Sequence, residues 1–148
     1  MKTGYSIRTW RMRLFCPEPP WLDRTEEYFQ NVVDFYYHLL IQHEELWANS
    51  LFDIQRSLEL LTLAGRDGRQ PANPLPMGKV PVYLRRAAIN KASAAVKSTL
   101  GKEGNTFPEK LEAKVTFFKG MYSDLTDESI RLKLWNGGKW VWTDCRLK

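Results

Sequence analysis

Pro81-Val82-Tyr83-Leu84-Arg85-Arg86-Ala87-Ala88-Ile89-Asn90-Lys91-Ala92 is the stretch around which the rest of the chain is organised. A proline in the first turn costs a helix no hydrogen bond, because the amide it lacks would have no partner there, so Pro81 predicts a helix start. The helix runs to about Leu100 and meets Gly101. Leu84, Ala88, Ala92, Ala95 and Val96 recur at helical spacing and are expected to face inward, leaving Arg85, Arg86, Lys91 and Lys97 on a broad solvent arc. The small alanines allow close approach of a second helix.

Upstream, an irregular connector, Gln70-Pro71-Ala72-Asn73-Pro74-Leu75-Pro76, separates this helix from two others. Asp23 with Glu26 resembles a capping box, and Phe29, Val32, Val33, Tyr36, Leu39 and Leu40 follow at helical spacing. Leu51, Ile54, Leu58 and Leu61 mark another helix from Leu51 to Ala64, stopped by Gly65-Arg66-Asp67-Gly68. Together these predict a helical hairpin. Residues 5–15 alternate in part, with Trp10, Met12 and Leu14 opposite Thr9, Arg11 and Arg13, as a half-exposed strand would, and Cys16-Pro17-Glu18-Pro19-Pro20 ends it. Downstream, strands are expected at Val115–Tyr122, Ile130–Trp135 and Lys139–Arg146, with Asn136-Gly137-Gly138 turning the last hairpin. On that hairpin Arg131, Lys133 and Trp135 share a face.

The net charge of +5 is unevenly spread. Residues 1–15 hold four bases and no acid; residues 18–61 hold nine acids against Arg24 and Arg56; residues 62–102 hold eight bases against Asp67 alone. An isolated charge run is usually a solvated face, but a basic segment of this length joined to a basic strand favours a nucleic-acid partner. Cys16 and Cys145 stand near opposite ends of the chain, outside any closely spaced metal or redox pair, so a reducing interior is expected. No apolar run reaches the roughly 20 residues of a membrane span, and no secretory leader is recognisable, so a soluble cytoplasmic protein is expected.

The order of strand, helical insertion, basic helix and Trp-rich strands resembles the amino-terminal part of TnpB-type proteins of insertion sequences, relatives of type V CRISPR effectors. The residues that carry it are Pro81 to Ala92, Phe107-Pro108, and Gly138-Lys139-Trp140-Val141-Trp142 with Arg146-Leu147-Lys148. The resemblance implies an α+β fold: a partial wedge-type, OB-like antiparallel β-barrel with an inserted helical recognition lobe. Residues 1–16 would be the first wedge strand, 17–104 the recognition lobe and 105–148 the remaining wedge strands. Wedge barrels of this family continue past the hairpin, whereas this chain stops at Lys148, so an incomplete barrel with an open edge is expected. The family's proteins are RNA-guided DNA endonucleases whose RuvC domain uses Mg; that domain is absent here, so neither catalytic residues nor a cofactor are expected in this chain.

By motif position the resemblance assigns contact with the target-adjacent DNA motif to Tyr83, Arg86 and Asn90, with Arg85 beside them. Arg8, Arg11, Arg13, Lys91, Lys97, Arg131 and Lys133 are the expected holders of nucleic-acid backbone, and the expected partners are guide RNA and target DNA. Two alternatives stay open: a non-catalytic regulatory subunit docking a separate RuvC-domain chain, and a small autonomous RNA-binding protein. For Trp10, Trp135, Trp140 and Trp142, packing against the sheet or core is the commoner fate, with base stacking as the alternative. His38 and His43 lie five residues apart, about 140° around a helix, which argues against a shared metal. Glu26, Glu27 and Asp34 read as a solvated acidic face rather than acid–base catalysts.

Overall fold

The computed structural model describes residues 9–104 and 106–148. In chain order the elements are β1 (Leu14–Phe15), α1 (Pro19–Ile41), a short 3-10 helix (Glu44–Leu46), α2 (Leu51–Thr62), α3 (Val82–Leu100), β2 (Tyr122–Ser123), β3 (Ser129–Trp135) and β4 (Trp140–Leu147). Among the described residues no helix is long and apolar enough to cross a membrane.

The basic helix forms where the sequence predicts it, with Pro81 as its N-cap. It is the middle helix of the three. Leu84, Ala88, Ile89, Ala92 and Val96 are buried with Phe29, Val32, Val33, Tyr36 and Leu40 of α1 and Ile54 and Leu58 of α2 in one core. The expected hairpin of α1 on α2 is therefore corrected. Each packs chiefly on α3, and they meet where Tyr36 Oη and Thr62 Oγ1 lie 2.8 Å apart.

Helix α1 begins at Pro19 rather than Asp23. Pro19 and Pro20 occupy its first turn, where missing amides cost nothing, so the prolines that end the strand also start the helix. Glu18 takes the N-cap without a side-chain hydrogen bond, and the expected Asp23–Glu26 box lies inside the helix.

The sheet is antiparallel in the order β1-β4-β3-β2. Among the described residues it is open, with β1 and β2 at its two edges, an antiparallel sheet and not a closed barrel. The first strand is also far shorter than expected: of its described part only Leu14–Phe15 is strand, extended by reciprocal backbone bonds between Arg13 and Lys148. The expected Val115–Tyr122 strand is reduced to Tyr122–Ser123. Just upstream of it the backbone is held by side chains of α1. Gln30 donates to the Leu111 carbonyl and accepts from the Ala113 amide at 2.8 Å, and the Tyr37 hydroxyl donates to the Pro108 carbonyl at 2.6 Å. These groups need no neighbouring strand.

Leu132, Leu134 and Cys145 form a second apolar cluster with Trp21 and Leu22 of α1. The buried Thr25 hydroxyl links the layers, donating to the Trp21 carbonyl at 2.6 Å and accepting from the Trp135 amide at 2.8 Å. Tyr28 packs on Trp135 and Trp140 with ring centroids 5.0 Å away in each case. The hairpin turn uses Asn136 as its staple: its side-chain oxygen accepts from the Gly138 and Lys139 amides at 2.9 Å each, and Gly137 adopts φ +104°.

Candidate nucleic-acid interface

Tyr83, Arg86 and Asn90 lie at helical spacing i, i+3, i+7, and all three are exposed on the outer side of α3. Tyr83 leans over Gly120, whose φ is +108°; a Cβ there would fall 2.2 Å from two ring carbons. That glycine gives the ring its seat. Arg86 Nε lies 3.4 Å from Glu59 Oε1 on α2, with about half of its side chain still in solvent.

Arg85 departs from the expected solvent arc. It is buried, and its Nη2 and Nε donate to Glu59 Oε2 at 2.6 and 3.2 Å. Because α3 is covered by α1 on one side and α2 on another, a position next to the Leu84 stripe faces α2, and a buried guanidinium there needs a carboxylate. Lys91 and Lys97 are half-buried as well. The Lys91 ammonium stands 5.8 Å from the centroid of Phe29, and Lys97 donates to the Asn49 and Trp47 carbonyls at 2.7 and 3.4 Å, pinning the connection between α1 and α2.

Arg8 lies outside the described residues. Arg11 and Arg13 are exposed beside the edge strand β1. Arg131 and Lys133 sit on the β3–β4 face that carries Trp142: Lys133 pairs in register with Trp142, and the Arg131 guanidinium lies 5.9 Å from the Trp142 centroid and 3.6 Å from Asp144. Trp135 and Trp140 pack on Tyr28, whereas Trp10 is 75% exposed. The expected residues thus fall into an α3 stripe, a sheet-face group and the flank of β1.

Two features escape the sequence reading. Arg56, Arg66 and Arg69 join Arg86 around a groove on the outside of α2, with Phe52 and Leu60 in its lining. The signal was present: both apolar residues fall off the Ile54–Leu58 core stripe. Cys16 and Cys145, remote in sequence, are brought together, since the β1–β4 register continued by one residue sets them opposite each other. Burial, with the Cys16 thiol alongside, pushes the Cys145 thiol up to about 12.

The two histidines are held apart. His38 ring nitrogens lie 2.7 and 3.1 Å from the Asp34 and Glu109 carbonyls, and His43 Nδ1 lies 2.7 Å from Glu45. That hydrogen bond lowers the Glu45 carboxyl from its ordinary value. Among the described residues no group of three or more His, Cys, Asp or Glu could hold a metal ion. No curated protein and no solved structure matches the chain. The model of one protein family matches residues 6–136, which is most of its length, and by that match the chain belongs to the Aq_aa04 family.

Proposed function

We propose that this chain is a nucleic-acid-binding module of a TnpB-like RNA-guided nuclease, one that holds guide RNA and the DNA motif beside the target. The observation that carries the reading is the exposed Tyr83–Arg86–Asn90 stripe on a helix whose other bases are engaged inside the fold. An arginine and an amide one turn apart offer bidentate donors and acceptors to base edges or phosphates, and an aromatic at the helix start offers a stacking face. Arg11, Arg13, Arg131 and Lys133 add positive charge for backbone contact.

Fluorescence anisotropy with guide-like RNA and with duplex DNA, measured across a salt series, tests it. Binding should weaken steeply with salt, and Arg86→Ala with Asn90→Ala should weaken it further at a stability cost of no more than about 1 kcal/mol, the worth of the half-exposed Arg86–Glu59 pair. Binding indifferent to salt and to both substitutions would overturn the reading. RNA that copurifies with the chain, sequenced, identifies the guide.

A further inference from the structure

The groove outside α2 carries more unneutralised charge than the α3 stripe. It encloses about 330 Å³ between α2, the Gly65–Arg69 turn and Arg86 of α3. Four arginines surround it, and its one lining carboxylate, Glu59, is already committed to Arg85 at 2.6 Å. Asp67, in the same turn, instead accepts from the Arg69 amide at 3.1 Å. Among the described residues Arg56, Arg66 and Arg69 form no ion pair. Arg69 is fixed at the wall by donation to the Leu60 carbonyl at 3.0 Å.

Apolar surface stands beside this charge. Phe52 is 68% and Leu60 54% exposed, although Ile54 and Leu58 on the same helix are fully buried. A ligand that satisfies both must present several anionic groups and, between them, flat apolar faces. A duplex presents phosphates but keeps its base faces stacked inside, leaving Phe52 and Leu60 without a partner. A single strand presents both: guanidinium groups take phosphates in paired hydrogen bonds, and an aromatic ring stacks on any base. Arg86 belongs to the groove and to the stripe, so a strand leaving the groove arrives beside Asn90 and Tyr83.

We propose that this groove binds a single-stranded stretch of nucleic acid, with phosphates on Arg56, Arg66 and Arg69 and a base stacked on Phe52. The proposal rests on the nucleic-acid reading above and adds the strandedness and the place of the ligand.

Anisotropy of the full chain with a fluorescein-labelled oligothymidylate, and separately with a labelled duplex, distinguishes the two. Arg56→Gln with Arg66→Gln removes two exposed contacts, and the single-strand salt slope should become shallower by about 1.4, at about 0.7 per phosphate. Phe52→Ala should weaken oligothymidylate binding about tenfold, the scale of one stacked base, and leave duplex binding unchanged. Circular dichroism melting checks that each variant folds. If these variants bind oligothymidylate like the unmodified chain while Asn90→Ala weakens the duplex, the groove proposal falls and the module reading stands. If the unmodified chain binds neither probe, the groove proposal falls, and if it does not bind guide-like RNA either, the module reading falls with it. Competition by an acidic peptide that displaces oligothymidylate at equal concentration would assign the groove to a protein partner and overturn the proposal.

Discussion

Arg85 of α3 and Glu59 of α2 are joined at 2.6 Å with side chains only 10% and 15% exposed, while Arg86, the next residue, turns half of its side chain to solvent. Adjacent arginines in one motif therefore have opposite duties, one inside the helical bundle and one outside it.

Removing Arg85 should act on stability before it acts on binding. Arg85→Ala leaves the mostly buried Glu59 carboxylate with only the half-exposed Arg86 at 3.4 Å and is expected to cost about 2–3 kcal/mol, whereas replacing Arg85 and Glu59 with leucine recovers most of that loss. Urea denaturation midpoints measure both. An Arg85→Ala chain of unchanged stability but reduced nucleic-acid affinity would make Arg85 a contact residue instead.

Thr25 joins helix to hairpin through one hydroxyl. Thr25→Val keeps the shape but leaves the Trp135 amide without its acceptor, at an expected cost of about 1–3 kcal/mol, while Thr25→Ser retains most of the stability. Faster hydrogen exchange at the Trp135 amide in the valine variant is the local check.

Gly120→Ala should be destabilising for two separable reasons. The φ of +108° is unfavourable for alanine, a strain of about 1–3 kcal/mol, and the added Cβ collides with the Tyr83 ring. In a Tyr83→Ala background the collision disappears and the strain persists. A double-mutant cycle on denaturation midpoints therefore gives a positive coupling between residues 120 and 83, and zero coupling would mean that Tyr83 does not sit on this glycine.

Cys145 gives the fold an alkaline sensitivity. Its thiol rises from an ordinary 9.0 to about 12 in the folded chain, so the folded state keeps a proton that the unfolded state releases. This contribution is fully present below pH 9.0 and declines as pH rises towards about 12. The stability difference between the unmodified chain and Cys145→Ala, followed by chemical denaturation across that window, should shift against the unmodified chain as pH increases; a difference independent of pH would refute it. At neutral pH half-buried Cys16 should react with iodoacetamide before Cys145.

The parts of this fold legible in the sequence are those that local chemistry decides. The starts of α2 and α3, and the β3–β4 hairpin with its Asn136-Gly137-Gly138 turn, follow from periodicity, proline and glycine. The start of α1 was ambiguous because Pro19 and Pro20 satisfy two local rules at once. Arg85 was misplaced because a single-stripe reading assumes one buried face, and α3 has two. The path of residues 108–113 is hidden for a different reason: the groups that satisfy their backbone belong to Gln30 and Tyr37, remote in sequence and without a local pattern. Charge counting located the basic segments correctly and could not say which bases were already paired within the chain. The α2 groove was readable in principle from Phe52 and Leu60, whose positions off the core stripe had no structural use.

The hold of Gln30 on Leu111 and Ala113 also determines where the chain tolerates a change in length. With Tyr37 fixing Pro108 and His38 Nε2 lying 3.1 Å from the Glu109 carbonyl, residues 108–113 are aligned along α1 as a strip is aligned by pins. An extra residue between the pins forces one of them to release, and the error passes into every position after it. An extra residue just beyond Ala113 leaves these pins in place and instead displaces Val115 and Phe117, which pack against the core, so its cost falls on side-chain packing.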